Sequence, residues 1–473
     1  TASVLRVVAV CICTPVPALT VIGAVELVPL RPASDGWKAN YGLWIRLAVM
    51  TAIVTLCVVL QTRSFLSGLS ITATVVVAIV VCVTATYIAT MVYIASCWVF
   101  PIPFTITAGV VPYFVSMAVF SALFIGRTKF QQTPQLSKVF TRCVLFISTL
   151  KSLVIIYPGY NAAFNAVPDN LQPVLVFVLP VLKVVLKNTV AGLIDDHEDY
   201  IPETVAFSVE LFNVIYLVTC MQQGRAALTT LIVISLDFAT SAFSLWSVHK
   251  SSGIMRTHFA AESCNRRDAA RGKRNVVTSV ALDLLRRPEE LLQAKEIDDI
   301  RVDSSIAHSV SLLNQAARRH FDAQKAVLVR ETLRMLFYWE YVVLVEYVEC
   351  VIPLMYALYV SVAVHLPTAA HHSDLREMAQ RGVASSVGSV VTYASLEILS
   401  LVVLSVLLAR RFSFSPLFHL AFVLENQMVL LQAKMVTFLL FAMQFQLDHL
   451  GADFTFQFRW LHAPATPTAN TQS

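Results

Sequence analysis

Charge is what this 473-residue chain has least of, because Asp, Glu, Lys and Arg together make up 14% of it while 57% is hydrophobic. Glycine is also scarce, and no two of the 14 glycines lie two positions apart, so no GxGxxG nucleotide fingerprint exists. Walker A, HExxH and GxSxG motifs are absent as well. These absences argue against a nucleotide-driven pump or a membrane hydrolase, and we predict no enzymatic activity and no cofactor.

The nine cysteines do not form a recognisable pattern. The chain has no CxxC pair, and most of its cysteines lie inside apolar runs. We interpret them as packing residues rather than as a disulfide framework or a metal site. His371 and His372 have only each other as nearby ligands in the sequence, so we interpret them as loop histidines and predict no bound metal.

Long apolar runs dominate the chain. Eleven of them could cross a bilayer as helices, because lipid offers no partner to a free backbone group and the alternation of barrel strands is missing. The fifth is short and carries Lys151, so a re-entrant segment is an alternative there. The sequence predicts an all-α polytopic helical membrane protein of about eleven transmembrane helices with a cytoplasmic helical insert. The runs are 4–30, 43–61, 69–95, 104–125, 143–158, 173–192, 201–220, 227–248, 337–363, 387–409 and 417–447.

The insert is the only long polar part of the chain, with 16 Lys and Arg against 11 Asp and Glu between positions 249 and 334. Most basic residues outside the spans fall on one side if the N-terminus and the insert are cytoplasmic, as the positive-inside rule requires. The predicted organisation is an N-terminal membrane block (1–248), the basic insert (249–336), a C-terminal membrane block (337–460) and a disordered tail (461–473).

The insert has two candidate partners besides the lipid bilayer that surrounds the spans. Its helices could bind a cytoplasmic protein, or a basic face could lie on anionic lipid. The net charge of +5 equals the excess in the insert, so we predict membrane orientation rather than nucleic-acid binding. The candidate lipid- or partner-binding residues are Arg266, Arg267, Arg271, Lys273 and Arg274.

Ionisable residues within the apolar runs are the most informative. A charge at the bilayer centre costs roughly 2.5–3.5 kcal/mol, so such residues pair or face water. We expect Glu26, Arg46 and Glu340, near the ends of runs, to reach the interface. The deeper candidates for an ion or solute pathway are Lys183, Lys187, Glu203, Glu210, Asp237, Glu346, Glu349, Glu397, Glu425 and Lys434.

Two of these runs predict a specific arrangement. The turn at 195–200 makes 173–192 and 201–220 antiparallel, and at about 1.5 Å per residue Lys183 and Glu210 lie at similar depth. Lys187 and Glu203 correspond in the same way, which predicts two ionic pairs. Each pair could be a static bridge that fixes packing or a mobile pair in a transport path.

Two hypotheses for function remain. Acids that outnumber nearby bases can be protonated in the membrane and serve proton or cation pathways, although lone protonated acids bonded to Ser or Thr are the structural alternative. The leading hypothesis is a secondary transporter or channel for an ion or small solute. The alternative is a non-catalytic membrane scaffold or receptor-like protein that acts through its cytoplasmic insert.

Two stretches, ELVPLRPASDGWKANYGLWIR at 26–46 and EDYIPETVAFSVELFN at 198–213, carry a family resemblance. They resemble an expanded family of uncharacterised multi-pass membrane proteins of oomycetes. The resemblance implies a helical membrane protein and transfers no catalytic residue. It also implies that the face 203–213 belongs to a family pattern.

Overall fold

The computed structural model describes most of the predicted membrane blocks. The described residues are 3–65, 71–125, 149, 152–153, 155–164, 166–168, 172–193, 204–223, 235, 239, 339–412 and 415–452. The insert at 249–336 and the tail at 461–473 lie outside this set, so the predicted domain boundaries stay a prediction.

Helices account for nearly all of the described chain. They include α1 (Val4–Cys13), α2 (Val16–Glu26), α3 (Gly36–Ala39), α4 (Tyr41–Phe65), α5 (Ala73–Cys97), α6 (Thr105–Ala108), α7 (Val110–Ile125), α8 (Gln172–Val176), α9 (Val178–Leu193), α10 (Leu211–Gln223), α11 (Trp339–Ala363), α12 (Ser373–Arg381), α13 (Val383–Phe412), α14 (Pro416–Asn426) and α15 (Met428–Gln444). Three 3-10 turns, Ala33–Asp35, Pro367–His371 and Asp448–Leu450, lie between or after them. Ala206–Glu210, here called the π segment, is a π-helix that leads into α10.

The fold class agrees with the sequence prediction. Over the described ranges there is no strand, and the one extended pairing is an isolated antiparallel bridge between His372 and Leu447. The all-α prediction is therefore confirmed.

Six helical stretches within this part of the chain are long and apolar enough to cross a membrane, or seven if one bent pair is included. The six are Val4–Glu26, Tyr41–Arg63, Ala73–Cys97, Thr105–Ile125, Trp339–Ala363 and Val383–Arg410. The prediction of eleven spans stays a prediction, because most of 227–248 and much of 143–158 lie outside the described residues.

The last predicted span is wrong as a single helix. The run 417–447 forms α14 and α15, whose axes meet at 82°. Gln427, at the junction, has φ −106° and ψ 20°, which is not helical. No Pro or Gly lies between 417 and 447, so neither of the usual kink-forming residues marks the break.

Apolar side chains cover much of the exterior of these helices. Val77 on α5 is 60% exposed and Val111 on α7 is 68% exposed. Many other large apolar residues are exposed as well. A water-soluble protein rarely presents such continuous apolar faces, whereas lipid is a favourable surrounding for them.

The helix α15 lies at the centre of the bundle. It packs against α2, α4, the π segment and α10. Its buried residues run almost its whole length and include Lys434 and Gln444. A helix that is buried nearly all round belongs in a core, so the polar groups on α15 must find partners inside the protein.

Candidate functional site

The π segment positions the first acid of the candidate site. Ala206–Glu210 contains one residue more per turn than an α-helix, and Glu210 at its end is 0% exposed. Such insertions rotate the following side chains and are frequent at functional sites. Here the segment packs against both α9 and α15.

Lys183 on α9 binds two carboxylates from different helices. Its Nζ lies 2.7 Å from Glu210 Oε2 and 3.5 Å from Glu349 Oε1 on α11. The Lys183 side chain is 21% exposed, whereas those of Glu210 and Glu349 are 0% and 5% exposed. The lysine side chain is therefore partly exposed at the surface of the bundle, whereas both carboxylates that it contacts are enclosed.

A tyrosine and a second lysine complete this group. The hydroxyl of Tyr341 on α11 donates to Glu210 Oε1 at 2.7 Å. Lys187 Nζ, one turn beyond Lys183, lies 4.0 Å from the centroid of the Tyr341 ring, which is the geometry of a cation–π contact. Both oxygens of Glu210 are thus engaged, as a buried carboxylate requires.

Three buried carboxylates meet on the other side of Glu349. Glu346 and Glu349 lie one turn apart on α11, and Glu397 projects from α13. One oxygen from each lies within 4.8 Å of the others, and the three residues are 3%, 3% and 6% exposed. Ionised carboxylates this close repel one another, and a proton or a cation between them relieves the repulsion. Within the described ranges these three form the group that could hold a metal ion, through hard oxygen ligands.

Lys434 on α15 contacts the chain just before the π segment. It is 0% exposed, and its Nζ lies 2.5 Å from Thr204 Oγ1. The backbone oxygen of Thr204 also accepts a hydrogen bond from the hydroxyl of Ser208, within the π segment. Lys434 and Glu210 are therefore held by one short stretch of chain.

The site contains most, but not all, of the residues predicted from sequence. Seven of them lie in the connected region just described, namely Lys183, Lys187, Glu210, Glu346, Glu349, Glu397 and Lys434. The predicted pair of Lys183 with Glu210 is present in the structure. The sequence did not anticipate that Glu349 also contacts Lys183, because α9 and α11 are separated by more than 140 residues.

Glu425 lies elsewhere. Its two oxygens each accept a hydrogen bond of 2.9 Å from Arg6 on α1, and the two side chains are 39% and 63% exposed. The physical reason is the bend after Asn426, because it takes α14 away from the direction of α15 and against α1.

The remaining predicted residues lie outside the described part of the chain. They are Glu203 and Asp237 among the pathway candidates, and Arg266, Arg267, Arg271, Lys273 and Arg274 in the insert. The predicted pair of Lys187 with Glu203 and the binding role of the insert therefore stay predictions.

A second buried network corrects an expectation from sequence. Glu26 and Arg46 were expected to reach the interface, but both side chains are 1% exposed and pair at 2.9 Å. Arg46 also donates to the backbone oxygens of Glu26 and Val28. The reason is packing, because α2, α4 and α15 enclose the pair and Gln444 donates to Glu26 from α15.

The expectation for Glu340 is corrected in the same way. Its side chain is 12% exposed and lies 3.5 Å from His419 Nε2 on α14. A residue near the end of an apolar run is thus covered when a neighbouring helix crosses it, which hydropathy along one run does not reveal.

Comparison of the chain with protein-family models, with curated proteins and with solved structures finds no match. The class of the protein therefore follows from the structure itself. Its apolar helices and its buried acids define a helical membrane protein with ionisable groups enclosed between its helices.

Proposed function

We propose that this protein is a multi-pass secondary transporter or channel that moves a proton or small cation through the region around Lys183. The observation that carries the proposal is the position of the Lys183 ammonium between Glu210 and Glu349, at 2.7 and 3.5 Å. Because the lysine contacts one acid on each of two helices, it can stay paired with one of them when the other is protonated or binds a cation.

The proposed mechanism is competition for carboxylates. A cation or proton that enters the cluster of Glu346, Glu349 and Glu397 weakens the attraction of Glu349 for Lys183. The ammonium group then shifts fully to Glu210, whose other oxygen is already held by Tyr341. Departure of the cation restores the two-acid contact. The charge of Lys183 thus offsets that of Glu349 whenever the cargo is absent.

The π segment supports this proposal from a second direction. An extra residue in a helical turn is a small, localised strain that can shift along the helix. Glu210 is its last residue, and Thr204 just before it contacts Lys434. A shift of the insertion would move Glu210 relative to Lys183 without unfolding α10.

The scaffold hypothesis depends on a different part of the molecule. It requires a partner-sized surface on 249–336, which lies outside the described residues, and nothing in the described helices favours it. A cytoplasmic N-terminus and insert, and an anionic lipid or cytoplasmic protein bound there, likewise stay proposals.

Ion flux in liposomes tests the proposal. The full chain, reconstituted in vesicles, should dissipate a gradient of H⁺, Na⁺ or K⁺ faster than empty vesicles do. Glu349→Gln should reduce that flux about tenfold or more, because one charge-assisted contact is worth ~1.5 kcal/mol or more. The matched control is Glu425→Gln, which removes a carboxylate from an exposed pair outside the region and should leave the flux unchanged.

Two results would contradict the proposal. One is wild-type vesicles that move none of the three cations under a gradient or a membrane potential. The other is a flux that Glu349→Gln and Glu425→Gln reduce equally, since that would show a general effect of removing acids.

A further inference from the structure

The segment 445–451, here called the clasp, joins the end of α15 to other loops of the protein. Leu447 forms the antiparallel bridge with His372. Ser373 N donates to Gln446 O at 3.4 Å, and Phe104 N donates to Gly451 O at 2.9 Å. The clasp therefore holds the end of the central helix by contacts that are distant in sequence.

Two histidines face each other where the clasp meets its neighbours. His449 of the clasp is 1% exposed, and its ring centroid lies 5.0 Å from that of His371, with the planes at 84°. His449 Nε2 lies 2.6 Å from the backbone oxygen of Arg31. A carbonyl oxygen only accepts, so Nε2 carries the proton and neutral His449 has a bare Nδ1.

A second proton on His449 would be poorly accommodated. Its Nδ1 is buried and has no hydrogen-bond partner. Burial lowers the pKa of His449, and the nearby His371 and Arg46 lower it further, whereas the Arg31 oxygen and Asp448 oppose them. The neutral imidazole is therefore the form that fits the closed clasp.

The same balance applies to His371 on the Pro367–His371 turn. Burial is the largest cause that lowers its pKa, and Arg376 on α12 and His372 add to it. Asp448 and the Leu30 oxygen act in the opposite direction. The Asp448 carboxylate, however, already accepts from Arg376 at 3.1 and 3.3 Å, which reduces what it offers to either histidine.

We propose that His371 and His449 make the clasp a pH-sensitive latch, closed while both imidazoles are neutral and loosened by acid. The neighbouring His372 is 1% exposed and lies 3.4 Å from Glu26 Oε1, so a third imidazole connects the latch to the buried Glu26–Arg46 pair. The inference concerns the hold on α15 and stands whether or not the protein transports a cation.

The direction of the pH effect follows from proton binding. Both histidines bind protons less readily in the closed clasp than in an open one, where their pKa values are near 6.5. The open state therefore binds more protons, so the closed state is fully stable above pH ~6.5 and loses stability as the pH falls below that value. Below that pH, protonation of either histidine favours the open state.

Opening of the latch would change the contacts of the helix bundle through α15. Gln444, the last residue of α15, donates to Glu26, and its oxygen accepts from Arg46 at 3.4 Å. The clasp begins at the next residue. Acid release of the clasp would thus free the end of the helix that also carries Lys434.

Hydrogen exchange on the full chain in lipid nanodiscs tests the latch directly. Backbone amides of 445–451 and 366–376 should lose protection between pH 7.5 and pH 5, after correction for the intrinsic pH dependence of exchange. The double variant His371→Gln with His449→Gln should flatten that dependence, because glutamine can keep a donor to the Arg31 oxygen and does not titrate. His365→Gln is the matched control, since His365 is an exposed histidine just before the same turn.

A second measurement uses the wild-type protein alone, so it holds even if the double variant fails to fold. The exchange of imidazole C2 hydrogens, followed by mass spectrometry, gives the pKa of each histidine. We expect values below 6.5 for both His371 and His449. Values at or above 6.5, or protection that does not fall between pH 7.5 and pH 5, would overturn the latch.

Discussion

Two ion pairs in this molecule differ in how completely the protein encloses them. The side chains of Arg46 and Glu26 are both 1% exposed, whereas Lys183 is 21% exposed beside its buried partner Glu210. An ion pair that is fully enclosed has lost its hydration, so its hydrogen-bonding atoms must find their partners within the protein. A pair with one member at the surface of the bundle is less constrained by the surrounding protein, which is why we propose the pathway at Lys183 and a packing role for Arg46.

The buried Arg46 pair should be costly to break. Arg46→Met leaves the Glu26 carboxylate without its guanidinium partner, and we expect a loss of about 3–5 kcal/mol in the free energy of unfolding. Denaturation in detergent micelles measures it. Arg6→Met is the matched control, because the Arg6–Glu425 pair is exposed and should cost less than about 1 kcal/mol. Equal losses in the two variants would contradict the assignment of Arg46.

Lys183 and Glu210 should be energetically coupled. In a double-mutant cycle of Lys183→Met and Glu210→Gln, the effects on unfolding free energy should be non-additive by about 1–3 kcal/mol. The same cycle with Glu425→Gln in place of Glu210→Gln should be additive within about 0.5 kcal/mol, because Glu425 pairs with Arg6 instead. Additivity in the first cycle would mean that the 2.7 Å contact carries no net interaction.

Sequence reasoning succeeded with Lys183 and Glu210 for a physical reason. The rise per residue fixes the depth of each group, and a short turn fixes which helices are neighbours. Glu349 could not be found that way, because no short connection links α11 to α9. The burial of Glu26 was missed because a residue near the end of one apolar run can be covered by another helix.

At the scale of elements, hydropathy predicted where apolar helices lie but not how they break. The consecutive polar residues Glu425, Asn426 and Gln427 were the available signal for the bend between α14 and α15. The sequence contains less indication of the π segment, because an extra residue in a helical turn depends on the side chains that pack around it. Such features arise from tertiary contacts, which a local pattern does not contain.

The contact between α5 and α7 depends on a glycine. A Cβ on Gly109 would lie 2.2 Å from the hydroxyl oxygen of Tyr87 and 2.9 Å from two of its ring carbons. Gly109→Ala should therefore lower the free energy of unfolding by about 1–3 kcal/mol, as overpacking does. Gly23→Ala is the control, because a Cβ there meets nothing within 4 Å and should be neutral or slightly stabilising. Thermal unfolding in micelles distinguishes them, and a neutral Gly109→Ala would contradict the close packing of α5 on α7.

At the scale of the whole molecule, the apolar exterior and the charged interior are arranged opposite to those of a soluble protein. Exposed valines on α5 and α7 contrast with the buried acids on α11 and α13. Composition alone predicted this class, because 57% hydrophobic residues in repeated long runs are typical of helical membrane proteins. Composition did not reveal which acids converge, since that depends on how the helices pack.

The central claim is a proton or cation pathway through the acids around Lys183, which requires that water reaches them, and thiol accessibility tests that requirement most directly. In a cysteine-free background, Glu349→Cys, Glu346→Cys and Glu397→Cys would each be exposed from either side to a membrane-impermeant thiol reagent. Val360→Cys is the matched control, because Val360 lies on the same helix as Glu349 and is 0% exposed. We predict labelling at two or more of the three acid positions and none at 360. Absence of labelling at all three acid positions would mean that these charges are dry and structural, and would contradict a pathway through them.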